Sequence, residues 1–351
     1  ADARTRADVL NFEVHRAREV VAANEALNVE LADNKLTTLF KRRPAGVDPL
    51  PESYVEALEQ GDFDQALLGL LGEAEPLSAA SMAVLSRRWH NEHETWKNSR
   101  LERQVVYLWA DGVQVKVGLE TPHASMLVIV AAFTDGTRSV IAAEAGNRKS
   151  KDAWIAVLRT LIQRGMNVPR LVVADADLGL WAAIADFGWD CVPQHCWKHK
   201  TAEILALLPK PRQSQAAEML RAMSNAATRA DAKKLRERFV KRCGVRLAEA
   251  GERLCADWKQ LTSFYAFPKD HWPHLRTTQL VESPLASMRL CGSGPEGQKT
   301  TPDAEAILWK LMAAGSKIFR RLDSPHMLPA PADPRVGLDA KPGDQSPTRA
   351  A

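Results

Sequence analysis

Cysteine is scarce in this chain of 351 residues. Its five cysteines, Cys191, Cys196, Cys243, Cys255 and Cys291, form no even framework. A small disulfide-stapled scaffold is excluded, and reduced thiols in a cytoplasmic setting are expected. Long apolar runs are also missing. None reaches the roughly 20 residues that span a bilayer, and no signal peptide opens the chain, so no membrane partner is expected. The chain begins at Ala1 rather than Met, so a natural N-terminus is expected to be missing. Net charge is small: 47 Lys and Arg against 43 Asp and Glu leave +4, which permits a nucleic-acid partner without requiring one. What remains, 45% hydrophobic and 26% charged, is the composition of a globular protein, long enough for two or three domains.

The first hundred residues read as helical. An amphipathic helix is expected over 12–31, followed by a basic break at Lys41-Arg42-Arg43-Pro44. Asp62 is a natural N-cap for the apolar run Phe63, Ala66, Leu67 and Leu70, which Gly72 closes. A second helix starts at Pro76-Leu77-Ser78 and runs through Met82, Leu85 and Trp89, carrying Arg87 and Arg88. Two short helices with a Gly-containing link outline a helix-turn-helix, and the same pattern fits an ordinary helical hairpin.

From about residue 103 the periodicity changes. Val105–Ala110 reads as a strand running into Asp111-Gly112, and 126–133 as a strand covered on both faces. Asp135-Gly136 signals a hairpin turn, with a return strand over 138–143. A helix over 151–164 leads to Leu171–Ala174, a buried strand that ends on Asp175, then a helix over 178–187 and a short strand near 191–193. Three strands in antiparallel pairs, followed by helical crossovers, give a mixed α/β sheet of the ribonuclease-H-like kind. A right-handed strand–helix–strand crossover lays the fourth strand parallel beside the first. Asp111 and Asp175 are then expected to face each other. Taken singly, Asp111 opens an Asp-Gly turn and Asp175 caps a helix. Taken together, two carboxylates at neighbouring strand ends suit a hard divalent cation such as Mg²⁺, with Glu282 as the candidate third ligand.

Residues 197–274 read as an all-α insertion dense in Lys and Arg, including Lys198, Lys200, Lys233, Lys234, Arg236 and Arg238. Spaced charges on helices form either a solvated face or a track for a phosphate backbone. Over 275–289 the chain returns to the main domain as a helix bearing Arg276, Glu282 and Arg289. A glycine-rich loop follows over 291–301, then an amphipathic helix over 303–321, and a Pro-rich tail over 326–351 expected to be disordered. Cys196-x-x-His199 is half of a zinc site, but a structural site needs four ligands and no second such pair occurs at usable spacing. It reads as a local structural element. Trp258 and Trp272 are candidates for stacking on an unpaired base or for the core; the core suits Trp272 better.

The residues from about 57 to 328 resemble the Mutator-type transposases of bacterial insertion sequences, a branch of the DDE polynucleotidyl transferases. The resemblance lies in Gly61-Asp62-Phe63, Tyr107-Leu108-Trp109-Ala110-Asp111-Gly112, Val172-Val173-Ala174-Asp175-Ala176-Asp177, Gln194-His195-Cys196-Trp197-Lys198-His199, Phe264-Tyr265-Ala266-Phe267-Pro268 and Val281-Glu282-Ser283-Pro284, in that order. It implies a ribonuclease-H-like catalytic domain over 101–196 and 275–325, interrupted by the insertion at 197–274 and preceded by the DNA-binding region 1–100. It also implies Asp111, Asp175 and Glu282 as catalytic and metal-holding residues, with Mg²⁺ as cofactor and Mn²⁺ as substitute. The implied activity is nicking at the terminal inverted repeats of a mobile element and strand transfer into target DNA, by a homo-oligomer on double-stranded DNA at the nucleoid. Arg87, Arg88, Lys198, Lys200, Arg276 and Arg289 are the candidate DNA contacts. The chain departs from the pattern at Asp177, where relatives carry His and where a helix cap is the favoured reading. It departs again at Leu290-Cys291-Gly292, where they carry a further basic residue. A decayed copy that only binds DNA, and an unrelated nuclease of the same fold, are the competing readings.

Overall fold

The computed structural model describes residues 79–114, 125–243, 247–282 and 319–330, together with Glu305, Ala306, Trp309, Lys310, Met312, Ala313 and Ser316. The helices expected over 12–31 and 62–72, Arg289, the loop 291–301 and the chain beyond 330 lie outside these residues. The chain divides into two compact units. One comprises Ala1–Lys97, Lys116–Glu120 and Ser287–Ile318, and the other Asn98–Val115, Thr121–Ala286 and Phe319–Ala351.

In the first unit, helix α1 (Ala79–Lys97) continues two turns beyond Trp89, where the short second helix was expected to end. Trp89, His93 and Trp96 follow one another at i, i+4 and i+7, a spacing that puts them on one face of a helix. That face is apolar and closed from the other side by Trp309, whose ring lies 5.3 Å from His93 and 5.5 Å from Trp96. Lys310 anchors the contact through Glu92 at 2.8 Å.

The second unit is built on a five-stranded mixed sheet of order β3-β2-β1-β4-β5, with β1 Val105–Gln114, β2 Ser125–Phe133, β3 Arg138–Gly146, β4 Leu171–Ala174 and β5 Val192–His195. β1, β2 and β3 pair antiparallel, and β4 lies parallel between β1 and β5. The expected strand order therefore holds. The whole of β2 and all four residues of β4 are buried, which is why their sequences are unbroken apolar runs rather than alternating ones. Helix α2 (Lys151–Gln163) starts where Ser150 Oγ accepts from the Ala153 amide at 3.2 Å, and buries Trp154, Val157, Leu158 and Leu161. With α3 (Leu180–Asp186) it covers one face of the sheet in a continuous core with Leu108, Leu127, Ile129 and Val172.

From β5 the chain enters helices α4 (Trp197–Ala206), α5 (Lys210–Ser224), α6 (Arg229–Cys243), α7 (Ala248–Ala256) and α8 (Trp258–Leu261). Two 3₁₀ turns and α9 (Trp272–Leu275) lead back to the sheet. The long helix expected after residue 275 is broken at Arg276–Thr278, and α10 (Gln279–Glu282) begins beyond the break. The helix expected over 303–321 ends before residue 319. Residues 319–321 are not helical, Leu322 N donates to Gly136 O at 2.9 Å, and Pro325–Met327 forms a 3₁₀ turn. Arg170 Nε donates to Ala330 O at 2.7 Å.

Candidate functional site

The register of the sheet positions the site. Tyr107, Leu108, Trp109 and Ala110 pair with Leu171, Val172, Val173 and Ala174, and there the parallel ladder stops. Asp111 and Asp175 are each one residue past the last pair. Asp111 is not at the end of its strand, as the sequence suggested: β1 runs on to Gln114 because β2 keeps pairing with it, Asp111 opposite Val128 and Gly112 opposite Leu127. What ends at the two acids is the β1–β4 ladder, and the Asp111-Gly112 turn reading falls away.

Asp111 is 1% exposed. The Thr278 hydroxyl lies 3.4 Å from Asp111 Oδ2 and 3.4 Å from Cys196 Sγ, and the Thr278 amide donates to that sulfur at 3.3 Å. His199 Nε2 stands 3.9 Å from Asp111 Oδ2. Burial works against a charge on His199, yet its hydrogen bond to Cys196 and the Cys196, Asp111 and Asp175 charges push its pKa up to about 9. Cys196 and His199 thus form an element that faces the acids, and Thr278 joins it to the segment returning from the insertion.

Asp175 Oδ2 accepts from Arg148 Nη2 at 3.1 Å, and the Asp175 carbonyl accepts from Trp181 Nε1 at 2.8 Å. Arg148 was not anticipated from the sequence. It lies in the loop between β3 and α2, far from either acid along the chain. Two glycines are its signal in retrospect. A Cβ at Gly112 would collide with Arg148 Cβ, and one at Gly179 would come within 2.6 Å of the Ser150 carbonyl carbon. Both positions need the close approach that only glycine allows. Asp177 is not a cap: α3 has Gly179 at its N-cap, and Asp177 pairs on the surface with Lys149 at 2.7 Å.

The segment leading to α10 is clamped from both sides. Gln194 Nε2 donates to Leu261 O at 3.1 Å while Gln194 Oε1 accepts from the Phe264 amide at 2.8 Å, and Trp197 Nε1 donates to Leu261 O at 2.8 Å. Trp109 Nε1 holds His274 O at 2.8 Å, and the Trp197 amide holds Arg276 O at 2.9 Å. Glu282 is the last residue of α10, directly after buried Val281; its side chain is outside the described part. Among the described residues no three His, Cys, Asp or Glu side chains cluster as a metal site.

The other predicted residues separate. Arg87 and Arg88 are exposed on α1, Arg88 paired with Glu92 at 3.0 Å. Lys198 is exposed. Lys200 is 4% exposed and engaged with Asp257 and with Glu203, the latter at 2.5 Å, so its charge is satisfied internally. Arg276 is half-buried, donating to Asn225 Oδ1 at 2.6 Å and lying 5.1 Å from the Phe264 ring centroid, and burial lowers its pKa. Trp258 belongs to the core, 8% exposed between Trp197 and the Arg236 guanidinium. Trp272 packs on Phe264 and Tyr265. Exposed cations do line α6, among them Arg238, Lys241 and Arg242.

Fold and site define an α/β protein whose mixed sheet brings two aspartates into register, with a histidine and an arginine at the pair. The chain belongs to the Mutator family of transposases, whose model matches residues 34–291. It is similar to the transposase of insertion sequence element IS6120 of Mycolicibacterium smegmatis, 32% identical over 280 residues, 80% of this chain and 87% of that protein. It is also similar to the transposase of element IST2 of Acidithiobacillus ferrooxidans, 35% identical over 230 residues, 65% of this chain and 78% of that protein. Membership implies an enzyme of DNA transposition. Among the described residues no helix is long and apolar enough to cross a membrane.

Proposed function

We propose that the chain is a DDE-type polynucleotidyl transferase with a ribonuclease-H-like catalytic domain. It binds the terminal inverted repeats of an insertion sequence, nicks the DNA there and joins the ends to target DNA. The observation that carries the reading is the pairing of Ala110 with Ala174, which leaves Asp111 and Asp175 side by side after the ladder ends. The two carboxylates offer the hard oxygen donors that Mg²⁺ or Mn²⁺ prefers, and His199 Nε2 stands 3.9 Å from Asp111 Oδ2 beside them. Asp111, Asp175 and Glu282 are the residues that would hold such ions. When bound, the ions supply an activated water or 3′-hydroxyl and stabilise the leaving oxygen.

The chain's own side chains prepare that site. Thr278 orients Asp111, and the clamps from Gln194, Trp197 and Trp109 fix the segment that carries Glu282 back from the insertion. The DNA-binding region expected over 1–100, with Arg87 and Arg88, reads the repeats, while Lys198, Arg276, Arg289 and the exposed cations of α6 follow the phosphate backbone. Two ends must be held together, so the working form is a homo-oligomer on DNA, cytoplasmic and at the nucleoid.

The test is nicking and strand transfer on a labelled element-end duplex with Mg²⁺, for the native chain and Asp175→Asn. Chemistry lost in the variant with end binding retained supports the reading. Native protein that binds ends and never cuts them would identify a decayed copy, and cutting without strand transfer a nuclease of the same fold.

A further inference from the structure

We propose that Arg148 is a DNA-binding residue of this site, one that holds Asp175 while the carboxylates are bare and transfers its guanidinium to a phosphate oxygen when DNA arrives. The proposal rests on the reading of Asp111 and Asp175 as cation ligands and adds to it a residue that competes with the cation.

Four observations lead there. Arg148 Nη2 meets Asp175 Oδ2 at 3.1 Å, with both side chains largely shielded, at 24% and 14% exposure. Its base is immobilised: the Arg148 carbonyl accepts from Trp154 Nε1 at 2.8 Å and from the Gly179 amide at 3.1 Å, and its Cβ is seated against Gly112. The loop neighbours Lys149 and Lys151 pair instead with Asp177 and Asp186 at the surface, so of these three cations Arg148 is the one turned to the acids. Finally, the glycine at 112 directly follows Asp111, so the same close approach that seats the arginine adjoins the first acid.

The charge arithmetic then forces an exchange. A bare pair of aspartates is served by Arg148 and His199. A divalent cation on the carboxylates removes most of the attraction for the guanidinium and adds a repulsion, while the pinned backbone keeps the side chain within reach of the site. The group that can take over as its partner is an anion brought to the same point, and the substrate is a polyanion whose reacting phosphate must sit at the acids. A planar guanidinium fits two phosphate oxygens at once, which a lysine ammonium does not. Arg148 therefore has two partners in succession, Asp175 and then phosphate.

Two measurements test this. The first uses DNA-free protein and follows the rise in melting temperature on titration with Mg²⁺. Arg148→Ala should reach half-saturation at several-fold lower Mg²⁺ than the native chain, since a competing cation is gone, whereas Asp175→Asn should lose the rise. The second is single-turnover nicking at saturating Mg²⁺ and DNA, where Arg148→Ala should be slower by about a hundredfold or more, with Arg148→Lys recovering only part. Arg148→Gln, which keeps most of the length and removes the charge, carries the Mg²⁺ titration should the alanine variant fold poorly, with an unchanged far-UV spectrum as the check. An unaltered Mg²⁺ midpoint, or native nicking rates in either variant, would overturn the role of Arg148 and leave the metal–carboxylate reading standing. If the native chain itself shows neither Mg²⁺-dependent stabilisation nor nicking, the underlying reading fails instead, and Arg148 with it.

Discussion

Thr278 reaches Asp111 from 167 residues away, its hydroxyl 3.4 Å from the buried carboxylate and its amide on the sulfur of Cys196. One small residue thereby ties the first aspartate, the Cys196–His199 element and the start of α10. It joins Trp109 on His274 O and the Trp197 amide on Arg276 O in fixing where the chain returns to the sheet.

Thr278→Val keeps the shape and removes the hydroxyl. The bond is long, so the expected loss of stability is small, about 0.5–1 kcal/mol, measured by urea unfolding. Nicking should slow by about tenfold, because a misplaced ligand costs more in rate than in stability. A variant with native rate and native stability would show the hydroxyl to be idle.

Gly112→Ala places a methyl where Arg148 Cβ already sits. Overpacking of this kind costs about 1–3 kcal/mol. The displaced guanidinium should leave Asp175, so the Mg²⁺ midpoint of thermal stabilisation falls in the same direction as for Arg148→Ala. A midpoint that rises would show the loop to be held by other means.

Gln194 is completely buried and satisfies both Leu261 O and the Phe264 amide. Gln194→Leu strands the Phe264 amide, at about 1–3 kcal/mol, while Leu261 O keeps its bond from Trp197 Nε1. Chemical denaturation should report a loss of about 1–3 kcal/mol, and amide exchange over 261–264 should accelerate before the rest of the sheet unit. Uniform exchange would argue against a local clamp.

The Asp257 carboxyl is held down at about 2, first by the His195 imidazole 3.6 Å away and then by Lys200. A depressed carboxylate contributes stability that is complete above its unfolded value of about 3.9 and is lost as pH falls through its folded value. Asp257 should therefore supply on the order of 1–2 kcal/mol at neutral pH, disappearing between about pH 4 and pH 2. Asp257→Asn should flatten that part of the stability curve and, by leaving the buried Lys200 with Glu203 alone, lower stability at pH 7. An acid limb identical to the native one would refute the assignment.

Much of the sheet was readable from the order of residues along the chain. Unbroken apolar runs mark β2 and β4 because both faces of those strands are covered, and a strand–helix–strand crossover has one favourable hand, which lays β4 beside β1 and the two aspartates together. Helix α2 announces itself by the spacing of Trp154, Val157, Leu158 and Leu161. Local periodicity does not say where pairing stops. Asp111 was expected at a strand end, and only the partner β2 carries the strand past it. Nor does periodicity carry charge partners: Lys200 and Lys198 look alike on paper, yet one is buried against Asp257 and Glu203 while the other is exposed. Arg148 stayed hidden because its meaning depends on the packing of a loop against Gly112 and Gly179. Which residues can form strands and helices is set by steric and hydrophobic patterns a few residues long. Which charges meet is decided by contacts between segments far apart in the chain, and those exist only once the sheet has closed.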